Sequence, residues 1–303
     1  MIKKIKKLIT NPELIIVRAE MKGFFNWMND ETYIKFMYRV MMKEKLDLNN
    51  PKSFNQKLQW LKLNYVHPEY SNVVDKYEVR EYISKTIGEE YLIPLLGVWD
   101  SAEEIEYDNL PDKFVLKCNH NSGGVIVCRD KEKFNKKNST KLLTRLLKKN
   151  YYLHGREYPY KDIKPRVICE KFMDDGTGQL PKDYKILCFN GVPQNIMVCC
   201  DRHNGHANYY HFDFDWNFIP LNKVDINLPK DFTLPRPEKL EEMKELAEIL
   251  SKPYIVSRID FYEIQGKLYF GEITLFPSSG LDRDILHETD MLFGNDIILP
   301  ICN

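Results

Sequence analysis

Residues 254–280 read YIVSRIDFYEIQGKLYFGEITLFPSSG, and the rest of the chain is organised around them. Segments 254–264 and 267–276 are β-branched and aromatic, and the Gln265-Gly266 pair between them signals a hairpin. Asp260 and Glu272 interrupt the apolar runs, with Arg258 and Thr274 two places outward. Alternate residues of a strand share a face, so Arg258 sides with Asp260 and Glu272 with Thr274. A two-residue turn pairs Ile264 with Lys267 and sends the two acids to opposite faces. A three-residue loop ending in a left-handed Gly266 sets Arg258 against Glu272 and Asp260 against Phe270, with all four polar side chains on one face. Two carboxylates and a hydroxyl gathered there suit Mg²⁺, which takes one or two carboxylates and fills its octahedron with water and phosphate oxygens. A cross-strand ion pair on a solvated face uses the same residues. Like charges close together repel unless a cation or proton lies between them, which favours the metal.

Composition bounds the answer. The chain has 303 residues, 43% hydrophobic and 29% charged, with no net charge. That is enough for two lobes with their own cores, and nothing global points to nucleic acid. Seven cysteines form no CxxC pair and most sit in apolar runs, so they read as buried thiols in a reducing cytosol. No segment approaches the roughly 20 apolar residues of a membrane span.

The first 50 residues differ from the rest. MIKKIKKLIT is a basic amphipathic start, and residues 1–50 hold ten basic against six acidic side chains. The later part of this stretch is rich in aromatics and methionine. It reads as a helical arm packed on its own domain, or as a helix lying on an anionic membrane surface. Ser53 followed by Gln56 is a capping box opening a helix to about Lys62, and 68–87 reads as one further helix. The stretch 113–130, KFVLKCNHNSGGVIVCRD, runs strand, polar loop, strand. Its paired glycines let backbone N–H groups approach an anion, and Lys117 adds a point charge at the strand end. An ordinary hairpin is the alternative. Segment 138–150 is a helix with a basic outer face, and 151–165 is a polar-aromatic loop over a cleft. Glu170 is the one acid of strand 166–173, and Asp183 shares a face with Lys185. Asn190-Gly191 suits a type I′ turn. DRHNGHANYYH, 201–211, reads as a polar loop; His203 and His206 lack further ligands at zinc spacing. A last helix opens at Arg236-Pro237-Glu238.

This segregated order of helices and strands is α+β. On NPKSFNQKLQWLKL, VVDKYEVREYI, YLIPLLGVWD, FVLKCNHNSGG, DYKILCFNG and RIDFY…FGEIT, the chain is similar to the TupA-like (teichuronopeptide-biosynthesis) proteins of the ATP-grasp superfamily. The resemblance covers roughly residues 50–285. It implies two α+β lobes clamping ATP: an N-terminal arm over 1–50, an α/β unit over 51–112, a small lobe with the glycine loop over 113–172, and a large lobe with the metal site over 173–303.

The resemblance also assigns roles. Lys117 would contact the α/β-phosphates, and the loop holding Asn119, His120, Ser122, Gly123 and Gly124 would close over them. Glu170 and the Lys171–Phe172 backbone would meet adenine and ribose. Asp260, Glu272 and Thr274 would hold Mg²⁺, with Thr274 standing where the superfamily usually has Asn or Asp. Arg258 and Lys185 would be catalytic, and Lys76, Arg80 and Asp183 would face the acceptor. The implied chemistry is activation of a carboxylate by ATP as an acyl phosphate, then attack by an amine. Implied partners are a uronic-acid-containing saccharide or sugar nucleotide and an amine or amino acid. The setting is bacterial surface polysaccharide assembly, in the cytoplasm or peripheral to the membrane's inner face and its polysaccharide enzymes. A glycosyltransferase on the same scaffold, and a non-catalytic nucleotide- or glycan-binding module, are the alternatives. The loop Pro277-Ser278-Ser279-Gly280 lacks a second glycine expected from relatives.

Overall fold

The computed structural model describes residues 13–174, 176, 181–203, 206–229 and 231–300, without the side chains of 201–203 and 206. The basic start 1–10 and the His203 and His206 rings thus lie outside the described residues. Two antiparallel sheets carry the fold. Strands β1 (Leu95–Trp99), β2 (Phe114–Cys118), β3 (Ile126–Cys128) and β4 (Val167–Lys171) form the smaller, in the order β1-β4-β2-β3. Strands β5 (Asp183–Phe189), β6 (Val192–His203), β7 (His206–Phe212), β8 (Phe218–Ile219), β9 (Val256–Ile264) and β10 (Lys267–Thr274) form the larger, in the order β10-β9-β5-β6-β7-β8. Residues 201–203 and 206–211 are therefore strand, not loop, with His203 paired to His206 and the ladder running back from there.

Both short turns take the form that strand twist favours. Asn190 and Gly191, at φ 49° and 78°, and Gln265 and Gly266, at 52° and 71°, put two consecutive residues in the left-handed region. Ile264 pairs with Lys267, so the second hairpin has a two-residue turn. Even so, Asp260 and Glu272 share a face, the outcome expected of the three-residue loop, but in a different register. Phe270 lies opposite Phe261, but Glu272 rather than Gly271 lies opposite Asp260. Gly271 is the extra residue of a β-bulge, and it moves Glu272 and Thr274 onto the face of Asp260 and Arg258. A Cβ at Gly271 would come within 3.1 Å of the Asp260 carbonyl oxygen and 3.2 Å of the Tyr262 ring.

One face of the large sheet is apolar. Tyr184, Ile186, Ile259, Phe261 and Phe270 are buried there, and the helix Leu240–Ser251 covers them with Leu240, Met243, Ala247 and Leu250. That helix starts later than Pro237, because Glu263 of β9 accepts the Glu238 and Lys239 amides at 3.3 and 3.4 Å and so caps it from outside.

The expected 51–112 unit does not stand alone. Its helix Phe54–Asn64 joins the large-lobe core through Phe54, Leu58 and Leu61, whereas its strand β1 pairs with β4 of the small sheet. Ser53 Oγ accepts the Gln56 amide at 3.4 Å, while Gln56 Oε1 reaches back to the Lys52 amide at 2.9 Å. The helix expected over 68–87 is broken into Tyr70–Val74 and Val79–Thr86. The Asp75 carboxylate takes the Tyr77 and Glu78 amides at 2.7 and 3.3 Å, and the Lys76 amide donates to the Asn119 carbonyl at 3.2 Å. The helical arm, Glu13–Met21 and Asp30–Met42, has its own core of Tyr33, Ile34, Met37, Tyr38 and Leu46. Arg156 fastens the arm to the rest, lying over the Tyr33 ring at 4.5 Å and donating to the Phe25 and Met28 carbonyls. The six described cysteines are buried, and no described helix is long and apolar enough to cross a membrane.

Candidate active site

Cross-strand register builds one row of charge on the second face of the large sheet. Lys185 on β5 lies opposite Asp260 on β9, which lies opposite Glu272 on β10. Arg258, one alternate position away, faces Thr274. Its guanidinium forks onto Asp260, Nε to Oδ1 at 2.7 Å and Nη2 to Oδ2 at 2.8 Å. The same Nη2 donates to Glu272 Oε1 at 2.9 Å and to Thr274 Oγ1 at 3.2 Å. Lys185 Nζ bonds Asp260 Oδ2 and lies 2.9 Å from Asp183 Oδ2. Burial pushes the Asp260 carboxyl above the usual carboxylate range, against the pull of Arg258 and Lys185. Burial also pushes Glu272 up, but Lys76, Arg258, Lys185 and Lys117 together hold it down at about 2.

Lys76 and Lys117 belong to the other side of the cleft, which brings the two lobes to one site. Lys117 Nζ pairs with Glu170 Oε2 at 2.7 Å, and Arg80 approaches Glu170 Oε1 at 3.9 Å. Lys76 Nζ donates to the Asn121 carbonyl at 2.6 Å, and burial lowers its pKa. Lys76 and Arg80, expected on the acceptor side, therefore gather with Lys117 and Glu170, whereas Asp183 and Lys185 line a cavity, described below, that opens from the charge row.

The glycine loop divides into a buried base and an exposed tip. Asn119 and His120, expected to face phosphate, are buried instead. Asn119 Nδ2 donates to Asp75 at 2.8 Å and to the Lys164 carbonyl at 3.0 Å, and Oδ1 accepts the Arg166 amide at 2.7 Å. His120 Nε2 donates to the Lys149 carbonyl at 3.1 Å. These two residues anchor the loop. Ser122, Gly123 and Gly124 are exposed, with both glycines at positive φ. At the end of β4 the Lys171 amide is taken by the Pro94 carbonyl at 2.9 Å. The buried Phe172 ring packs under Lys113 and Arg129, at 5.8 and 5.2 Å.

A loop beside the acids was underread in the sequence. Ser278, Ser279 and Gly280 take φ of 49°, 53° and 60°, the left-handed region that glycine favours. Lys62 Nζ donates to the Ser279 and Gly155 carbonyls, both at 2.7 Å, and Gln59 Nε2 donates to the Ser279 and Gly280 carbonyls at 2.9 and 2.6 Å. Asn55 accepts the Asp282 amide at 2.8 Å and donates to Asp290 at 3.0 Å. Asn55, Gln59 and Lys62, spaced i, i+4, i+7, form one helix stripe that clamps this loop, and that polar stripe was the available signal.

For a divalent cation the donor chemistry fits. Asp260, Glu272 and Thr274 converge on one point, now met by Arg258 Nη2, and Mg²⁺ asks no more of a protein than one or two carboxylates beside phosphate and water. No cluster of three His, Cys, Asp or Glu side chains that could hold a metal alone occurs among the described residues. A cavity of about 780 Å³ continues from Lys185 and Arg258 along the same face, walled by β5, β6 and β7 and by Phe54, Ser278 and Phe293.

The chain is similar in structure to D-alanine–D-alanine ligase from Bacillus anthracis, at 16% identity over 80% of this chain and 68% of that one, TM-score 0.40. It is also similar to D-alanyl-alanine synthetase A from Vibrio cholerae, at 12% identity over 80% and 68%, TM-score 0.45. A third is N5-carboxyaminoimidazole ribonucleotide synthetase from Thermus thermophilus, at 15% identity over 67% and 45%, TM-score 0.36. No curated protein matches the sequence. The sequence model of the family described as TupA-like ATPgrasp matches residues 56–298, most of the chain, and the chain belongs to that ATP-grasp family.

Proposed function

We propose that this protein is a Mg-ATP-dependent carboxylate–amine ligase of bacterial surface-polysaccharide assembly. It would join an amine or amino acid to the carboxylate of a uronic acid and release ADP and phosphate. The observation that carries the reading is the Lys185–Asp260–Glu272 row with Arg258 upon it, facing Lys76 and Lys117 across the cleft. A carboxylate attacking a phosphoryl group is one anion meeting another, so fixed cations must already stand where the charge develops.

In this reading Lys117 and Lys76 take phosphate oxygens, and the Ser122–Gly124 backbone closes upon them. Arg258 meets the transferred phosphoryl group, and Lys185 orients the substrate carboxylate. A carboxylate oxygen attacks the γ-phosphorus and the bond to ADP breaks. The amine then attacks the acyl carbon, loses a proton and expels phosphate. Asp260, Glu272 and Thr274 would hold Mg²⁺, which supplies charge neutralisation at the phosphates. The exposed Phe24 and Trp27 of the arm, 73% and 79% accessible, support attachment at the cytoplasmic membrane face.

The test is incubation with ATP, Mg²⁺, a uronic acid and hydroxylamine. ADP release with hydroxamate formation is the expected result. Absence of nucleotide binding at millimolar ATP would overturn the proposal.

A further inference from the structure

The cavity beside the charge row has an end that the reaction as described leaves unused. Reading across the large sheet, the row Glu272–Asp260–Lys185 continues through Met197 on β6 to His211 on β7. The adjacent row Thr274–Arg258–Leu187 continues to Asn195 on β6. His211 thus lies two strands beyond Lys185 and Asn195 two strands beyond Arg258, a separation of about 10 Å at strand spacing. Both line the cavity, as does Asn222.

All three are uncharged hydrogen-bonding groups held in buried positions, at 3%, 8% and 7% exposure for Asn195, His211 and Asn222. Asn195 Oδ1 has no hydrogen-bond partner among the described residues, and a buried acceptor left unpaired is destabilising. Such a group calls for a partner, and a ligand in the cavity would supply one. Asn222 Nδ2 donates to His211 Nδ1 at 3.4 Å, which leaves Nε2–H as the donor edge of the imidazole. Burial lowers the His211 pKa to about 4, so the ring is neutral near pH 7. Phe54 and Phe293, packed at 5.8 Å, supply apolar wall to the same cavity.

Neutral donors and acceptors with aromatic wall at one end, Arg258 with Lys185 at the other, and the Asp183, Asp282 and Asp284 carboxylates as further acceptors for hydroxyl hydrogens match a ring acid bearing hydroxyl groups. We propose that Asn195, His211 and Asn222 read the ring hydroxyls of a single hexuronate unit whose carboxylate faces Arg258 and Lys185. This rests on the ligase reading and makes these three residues specificity determinants rather than catalytic ones. A site that pairs with hydroxyl groups rejects the analogue lacking them, because its own buried groups are then left unpaired.

The probe pair is D-glucuronate or D-galacturonate against cyclohexanecarboxylate, which keeps ring and carboxylate and lacks the hydroxyls. Binding is measured by calorimetry on the full chain with Mg²⁺ and a non-hydrolysable ATP analogue. Wild type is expected to prefer a hexuronate at least 10-fold. Asn195→Leu and His211→Phe should each weaken hexuronate binding about 10-fold, leaving the affinities for cyclohexanecarboxylate and nucleotide unchanged. Asn195→Asp, which keeps an acceptor, should retain more affinity than Asn195→Leu. Equal binding of both acids by wild type, equal losses for both acids in the variants, or no hexuronate binding at millimolar concentration overturns the assignment. Loss of nucleotide binding by wild type would instead sink the ligase reading, since the hydroxyl preference is measured separately from turnover.

Discussion

Replacing Arg258 with methionine isolates what holds the acid row together. The guanidinium, 17% exposed, donates two bonds to Asp260, one to Glu272 and one to Thr274. Asp260 is 1% exposed, so the substitution strips Oδ1 of its charged donor and leaves only Lys185 on Oδ2. Breaking a buried ion pair from one side costs about 3–5 kcal/mol, because the abandoned charge remains buried. Lys185 stays in place, so the expected loss is near the lower end, ~3 kcal/mol. At about 2–4 °C per kcal/mol for proteins of this class, the midpoint should fall by roughly 6–12 °C. Thermal melting followed by far-UV circular dichroism measures the shift, and urea denaturation the free-energy loss. Adding Asp260→Asn to the variant removes the stranded charge and should recover about 1–2 kcal/mol, so the pair is strongly non-additive. A loss below ~1 kcal/mol for Arg258→Met, or full additivity of the two substitutions, would refute the reasoning that Arg258 neutralises a buried carboxylate.

Other outcomes follow from the same geometry. Glu272 sits at about 2 in the folded protein, below its ordinary 4.5, so its stabilising contribution is complete above about pH 4.5 and drains away as pH falls toward about 2. Glu272→Gln should flatten urea midpoints over that window, though modestly, since the side chain is 38% exposed. Lys76→Met and Lys117→Met should each abolish thermal stabilisation by Mg-ATP, which for wild type at 100 times Kd amounts to ~2.7 kcal/mol; unchanged stabilisation would remove both lysines from the phosphate site. Ser278→Gly should stabilise by ~1 kcal/mol or less, because glycine takes its φ of 49° without steric cost, offset partly by unfolded-chain entropy. Gly124→Ala should destabilise more than Gly123→Ala in the same urea assay. Both have left-handed φ, but a Cβ on Gly124 meets Leu146 at 2.5 Å, whereas one on Gly123 meets nothing within 4 Å.

Much of the site was legible before any coordinates. The acids at 260 and 272, the arginine and threonine beside them, and Lys185 with Asp183 do meet on one face. What misled the hairpin reading was the assumption of strict alternation. Leu268 and Phe270 are buried in phase, then Ile273 and Leu275 are buried one position later. That slip, centred on Gly271, was visible as a change of phase in LYFGEITL and is what a bulge leaves in a sequence. His211 was counted with the other polar groups of 201–211 because nothing local says that β7 buries it two strands from Lys185.

Local chemistry alone therefore determined the type I′ turn at Asn190-Gly191, the serine cap at 53 and the apolar face of the helix Leu240–Ser251, because dihedral preference and side-chain period act over a few residues. Tertiary structure alone decided that Asp75 would break a helix to place Lys76 between the lobes. It also decided that Asn55, Gln59 and Lys62 would grip a loop more than 200 residues away, and that β1 would leave its neighbours for the small sheet. Those outcomes turn on which buried polar group finds which partner, and that pairing exists only once distant segments pack.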